Sequence, residues 1–137
     1  PERRPVATIA GIATIAAMTF LTYEGSVTGP PSAVSMETPE RIVQIGERNP
    51  EFLRQYEAGK QVAAQTGCLA CHKLGENGNA GPGPDLTHIA DRLPAAGIAA
   101  TLINPTPPMP SFKGLRDEQP EKFRDLVVFL GELKEDE

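Results

Sequence analysis

The chain has no tryptophan, few aromatic residues of any kind, only two cysteines and two histidines, and no run of lysines or arginines. Each shortage removes a class of protein. Without a basic patch or a module to hold bases, nucleic-acid binding is excluded. A structural zinc site wants four nitrogen or sulfur ligands. The adjacent Cys71 and His72 cannot easily serve one ion together, so the four available side chains make a poor zinc set. A disulfide between cysteines three positions apart would close too small a loop to constrain much. Residues 49–133 hold four phenylalanines and one tyrosine. That is thin for a segment small enough to struggle with a self-sufficient core, so some other apolar body is expected to complete it. No period-two pattern marks a strand, whereas 3.6-residue periodicity recurs. The fold class expected is all-α.

What the chain does have is the pentapeptide Cys68-Leu69-Ala70-Cys71-His72. Two cysteines three apart with histidine directly after the second is the pattern of covalent haem attachment. Each thiol adds across one vinyl group of the porphyrin, and a two-residue gap places the sulfurs to match the vinyl separation. The histidine beside the second thioether then lies under the ring with its imidazole free for iron. A thioredoxin-like dithiol would instead sit between a strand and a helix. Here a helical stretch precedes the motif and a glycine-rich loop, 75–84, follows it. One haem c is therefore the expected cofactor.

A second axial ligand is then sought. Of three methionines, Met18 lies in a long apolar run and Met36 in a polar segment. Met109 sits among Pro105, Pro107, Pro108 and Pro110. Prolines fix φ and bias the residues before them towards extended backbone, so this loop is stiff and presents one thioether at a set position. His88 is the competitor. It follows His72 by only sixteen residues, beside the loop expected on the near side of the ring, and should struggle to reach the opposite face.

Together these pieces resemble a class I c-type cytochrome domain over residues 49–133. Asn49-Pro50-Glu51 reads as an N-cap, a proline at the first helical position and a first-turn acid. The helix it opens runs through Phe52, Tyr56, Gly59 and Ala63 to the haem motif. Gly83-Pro84-Asp85-Leu86-Thr87-His88 resembles the family's Gly-Pro loop. The resemblance implies that the Pro84 carbonyl accepts the Nδ1 proton of His72, fixing its tautomer. It implies that Met109 is the axial methionine and that Arg92, one residue out of register, contacts a haem propionate. An exposed helical side chain is the equal alternative for Arg92. Helices are expected over 86–92, 95–103 and 117–133, the last with Phe123, Leu126, Val127, Leu130 and Leu133 on one stripe. Relatives commonly carry an aromatic where Ala63 stands, so the chain departs from the family's pattern where the first and last helices cross.

Residues 5–23 carry no charge, nineteen in a row behind Arg3 and Arg4. That is the short end of a bilayer span, and the arginines place its start in the cytoplasm and the haem domain on the extracytoplasmic face. A cleavable signal peptide is the rival, with a shorter apolar region. Three parts are expected: a transmembrane anchor over 1–23, a flexible linker over 24–48 and a haem domain over 49–137. The start of the chain resembles the approach to the last membrane helix of a cytochrome b or subunit IV polypeptide, and a first residue that is proline means that an initiator was removed or that more sequence lies upstream. The function expected is single-electron transfer with no substrate site of its own, within a bc-type complex or, as the alternative, by a free-standing or terminal-oxidase-linked carrier. The expected partners are the membrane and redox proteins: cytochrome b and Rieske iron–sulfur subunits of a bc-type quinol:cytochrome c reductase, or a terminal oxidase. A haem sensor or peroxidase would require that Met109 not bind iron. Beyond Tyr23 there are 17 acidic and 11 basic residues, so an acidic carrier would be steered towards a basic partner face.

Overall fold

The computed structural model describes residues 5–28 and 34–135, with side chains described over 8–24 and 34–135. Contacts divide the chain into two compact units, residues Pro1–Pro31 and Ser32–Glu137. In the first, helix α1 runs Pro5–Thr28, beyond the expected end at Tyr23. Ile9, Ile12, Ile15, Met18, Phe20, Leu21 and Tyr23 are all exposed, and at 3.6 residues per turn they point around the whole circumference. Thr14, Thr19 and Thr22 donate their hydroxyls to the carbonyls of Ala10, Ile15 and Met18 at 2.8–2.9 Å. Among the described residues no helix is long and apolar enough to cross a membrane. The first four residues of the expected anchor lie outside the described residues.

The second unit is mostly helical and begins earlier than its composition suggests. Part of the expected linker is helix α2, Glu40–Arg48, and Val34 and Ile42 are buried in the core. Composition missed this because two apolar side chains among many polar ones are enough to dock a short segment. Polar contacts fasten the rest. Lys60, itself buried, donates to the Met36 carbonyl at 2.8 Å and the Thr38 hydroxyl at 3.2 Å. Ser35 donates through its backbone N–H and its hydroxyl to Asn77 Oδ1. Arg41 pairs with Glu132 at 2.6 Å.

Helix α3, Pro50–Gln65, opens as its sequence dictates. The Asn49 side chain accepts the Phe52 N–H at 3.2 Å, with proline in the first turn. It packs across the last helix, where Gly59 allows the closest approach: a Cβ there would stand 2.0 Å from the Asp125 carbonyl oxygen. Tyr56 meets Phe129 edge to face with centroids 5.3 Å apart. The small Ala63 is fully buried, so the crossing is made by glycine and this aromatic pair without an aromatic at 63. Phe129 lies outside the expected stripe, yet it is among the largest fully buried side chains.

Helix α4, Ala95–Ile103, has the expected bounds. The expected helix over 86–92 reduces to a 3-10 turn at Ile89–Asp91. The expected helix over 117–133 is two helices, α5 at Lys113–Glu118 and α6 at Pro120–Gly131. Pro120 is the cause, since proline starts a helix readily but cannot sit in its interior. A two-residue antiparallel pair, β1 at Lys73–Leu74 and β2 at Asn77–Gly78, is too short to leave any alternation in the sequence.

Candidate haem-binding site

A cavity of about 450 Å³ opens between the turn after α3, the 82–89 loop, α4, the proline loop before α5, and Leu130 of α6. Cys68, Cys71, His72, Pro84 and Met109 all line it. The cysteines come first. Gly67 turns the chain out of α3 with φ +82°, a left-handed conformation glycine adopts without strain. A 3-10 turn, Cys68–Ala70, follows, and the His72 N–H closes it on the Cys68 carbonyl at 2.9 Å. Both thiols are free. Burial pushes the Cys68 thiol up, opposed by its contact with the Thr66 hydroxyl, so it remains a neutral thiol and a poor candidate for a metal thiolate.

His72 is buried, and its Nδ1 lies 2.8 Å from the Pro84 carbonyl oxygen. A carbonyl can only accept, so Nδ1 carries the proton, and in the neutral ring that leaves the lone pair on Nε2. Gly83 supports the ring from beside it. A Cβ there would fall 2.3 Å from His72 Cε1, while the Gly83 N–H donates to the Cys71 carbonyl at 2.8 Å. The loop is braced again further on. Asp85 accepts from the Thr87 N–H at 2.8 Å, and the Thr87 hydroxyl accepts the Gly75 N–H at 2.9 Å. The hydrogen bonds from Thr87 hold the Asp85 carboxyl below its ordinary value.

Met109 reaches the cavity from the proline loop. Its N–H donates to the Thr106 carbonyl at 3.2 Å, and the Phe112 N–H ties the loop end to the Leu102 carbonyl at 2.8 Å. Two candidates are elsewhere. Arg92 is exposed, does not line the cavity, and donates to the Asp85 carbonyl at 2.6 Å. His88 lines a separate groove with Met36 and Glu132. Neither Met36 nor His88 lines the cavity that holds His72. The sequence reading missed most of the apolar wall. Ile98 and Leu102 carry an i, i+4 signal within α4, but Leu86, Ile89, Leu93 and Phe112 meet them only through the tertiary fold.

The residues present fit haem c. Two free thiols, an imidazole whose Nδ1 is held by a carbonyl and a thioether share one apolar cavity, which a porphyrin could fill as the missing part of the core. The family model described as Cytochrome c matches residues 56–137. The chain belongs to the cytochrome c family, and with it come covalently bound haem c, electron transfer and redox partner proteins. No curated protein and no solved structure matches the chain.

Proposed function

We propose that this chain is a membrane-tethered mono-haem cytochrome that passes single electrons as the cytochrome c part of a bc-type quinol:cytochrome c reductase. His72 and Met109 would hold its iron, and Cys68 and Cys71 would bond its porphyrin. The observation that carries the carrier reading is the meeting of a tautomer-fixed His72 and Met109 in one cavity. When bound, haem c supplies a one-electron iron couple, and the protein supplies binding, orientation and electrostatics. Pro84 keeps the proton on Nδ1 and aims Nε2. The proline loop holds the Met109 sulfur against displacement, and the apolar wall keeps water from the cavity. A methionine ligand alongside the histidine would favour a raised potential, and with both residues on the iron no place would remain for a substrate.

Support for the tether comes from α1. A helix apolar on every side wants apolar surroundings, and Thr14, Thr19 and Thr22 satisfy their hydroxyls within the helix, as hydrocarbon requires. The haem domain then sits on the extracytoplasmic face, behind Arg3 and Arg4. Extraction of native membranes with carbonate and high salt should leave the chain in the pellet, and detergent should release it together with cytochrome b and an iron–sulfur subunit. Release by carbonate would remove the tether. Isolation with a copper-containing oxidase would favour the oxidase-linked carrier instead.

A further inference from the structure

Charge is distributed unevenly along this domain. Residues 61–72, 77–84 and 93–112 contain no Asp, Glu, Lys or Arg, and these segments supply most of the cavity wall. Among the described residues that line the cavity, none is charged. Gly67, Thr101, Thr106 and the prolines 82, 84, 107, 108 and 110 are the exposed members that form its lip. The 17 acidic and 11 basic residues beyond Tyr23 all belong to other stretches. The lip is also stiff. Prolines fix φ through it, and the Ser111 hydroxyl pins the loop to the Ile103 carbonyl at 2.6 Å. A surface already ordered loses little freedom on docking. A charged partner face would have to shed its water against a lip with no charge to offer in return.

We propose that this lip is the docking surface for electron exchange and that it fits a redox protein whose own docking face is uncharged and apolar. The acidic charge elsewhere on the domain then does not govern the productive contact. This rests on the electron-carrier reading and names the kind of partner that carrier serves. One electron leaves the reduced protein and enters the oxidised one, and no bond is made or broken.

A second copy of the chain carries such a face itself and is the probe. Electron self-exchange between oxidised and reduced full-length holoprotein, in uncharged detergent, is measured by NMR exchange spectroscopy across ionic strength. Thr106→Lys and Thr106→Glu are compared with Lys122→Gln, which alters an exposed residue of α6 outside the lip. Either Thr106 variant sets like charges opposite one another across the contact. Both should slow exchange by about tenfold or more at low salt and recover as salt is added. Lys122→Gln changes net charge by the same unit as Thr106→Glu and should alter the rate by less than about twofold. Thr101→Lys tests the lip from α4 should the Thr106 variants fold poorly, and it should slow exchange in the same way. Faster exchange in Thr106→Lys, as relief of net negative charge demands, would overturn the proposal. So would a Lys122→Gln effect as large as that of Thr106→Glu. Reduction of hexacyanoferrate(III) separates the two readings. Holoprotein that reduces it but fails the lip test loses only the docking surface, whereas holoprotein that cannot reduce it loses the carrier reading as well.

Discussion

Gly83 and Asp125 show how much rests on single positions. A methyl group at Gly83 would press 2.3 Å from His72 Cε1, so Gly83→Ala must displace either the imidazole or the loop whose Pro84 carbonyl orients it. Overpacking of this kind costs about 1–3 kcal/mol. Urea unfolding of the holoprotein should show that loss together with a changed haem spectrum, and an unchanged spectrum would mean that the loop does not position the ring. Asp125 is a different case. It is 6% exposed, its Oδ1 has no hydrogen-bond partner, and burial raises its carboxyl above the ordinary value. A raised carboxyl binds its proton more tightly in the folded state. Its contribution to stability is therefore fully present below the unfolded value, about 3.9, and is lost as pH rises through the folded one. Asp125→Asn should melt higher than the unmodified protein at pH 7, with the gap closing towards pH 4. A gap that does not narrow on acidification would contradict the assignment.

Among the elements, the 34–48 segment is the least expected. Its helix packs on α3, and Lys60 binds its backbone and Thr38. Hydrogen bonds to a charged group contribute about 1.5–3 kcal/mol. Lys60→Ala should cost that order of stability and speed hydrogen exchange over 34–48, with the haem spectrum unaltered. Unchanged exchange there would show that Lys60 does not hold the segment. Legibility divided along the range of the interactions involved. The start of α3, the bounds of α4, the haem pentapeptide and the proline loop are local signals, written in caps, prolines and spacing. The break at Pro120 was equally local, but the expected helix was begun at 117, three residues ahead of a proline that marks the first helical position. Long-range pairings were not legible. Val34 and Ile42 gain their meaning only from the core they enter. Phe129 gains its meaning from Tyr56. Arg92 is turned away by a carbonyl, that of Asp85, which no spacing rule reveals.

At the scale of the whole molecule, a small mostly helical domain leaves an apolar cavity where a larger protein would have core, and the attachment residues open onto it. Removing the covalent group should therefore cost fold as well as function. The distribution of charge belongs to this scale too, with the acidic residues kept off the cavity lip. The central claim is that His72 and Met109 together close both axial positions, and it is tested by the spectrum, potential and ligand binding of Met109→Ala beside the unmodified holoprotein. The unmodified protein should show the weak far-red sulfur-to-iron band when oxidised and should resist carbon monoxide when reduced. Met109→Ala should abolish the band, lower the potential and admit carbon monoxide, because a soft neutral ligand that favours ferrous iron is lost. Met36→Ala should do none of these things. Rapid carbon monoxide binding by the unmodified protein, or a Met109→Ala variant with spectrum and potential intact, would contradict the claim and leave a haem sensor or peroxidase as the better description.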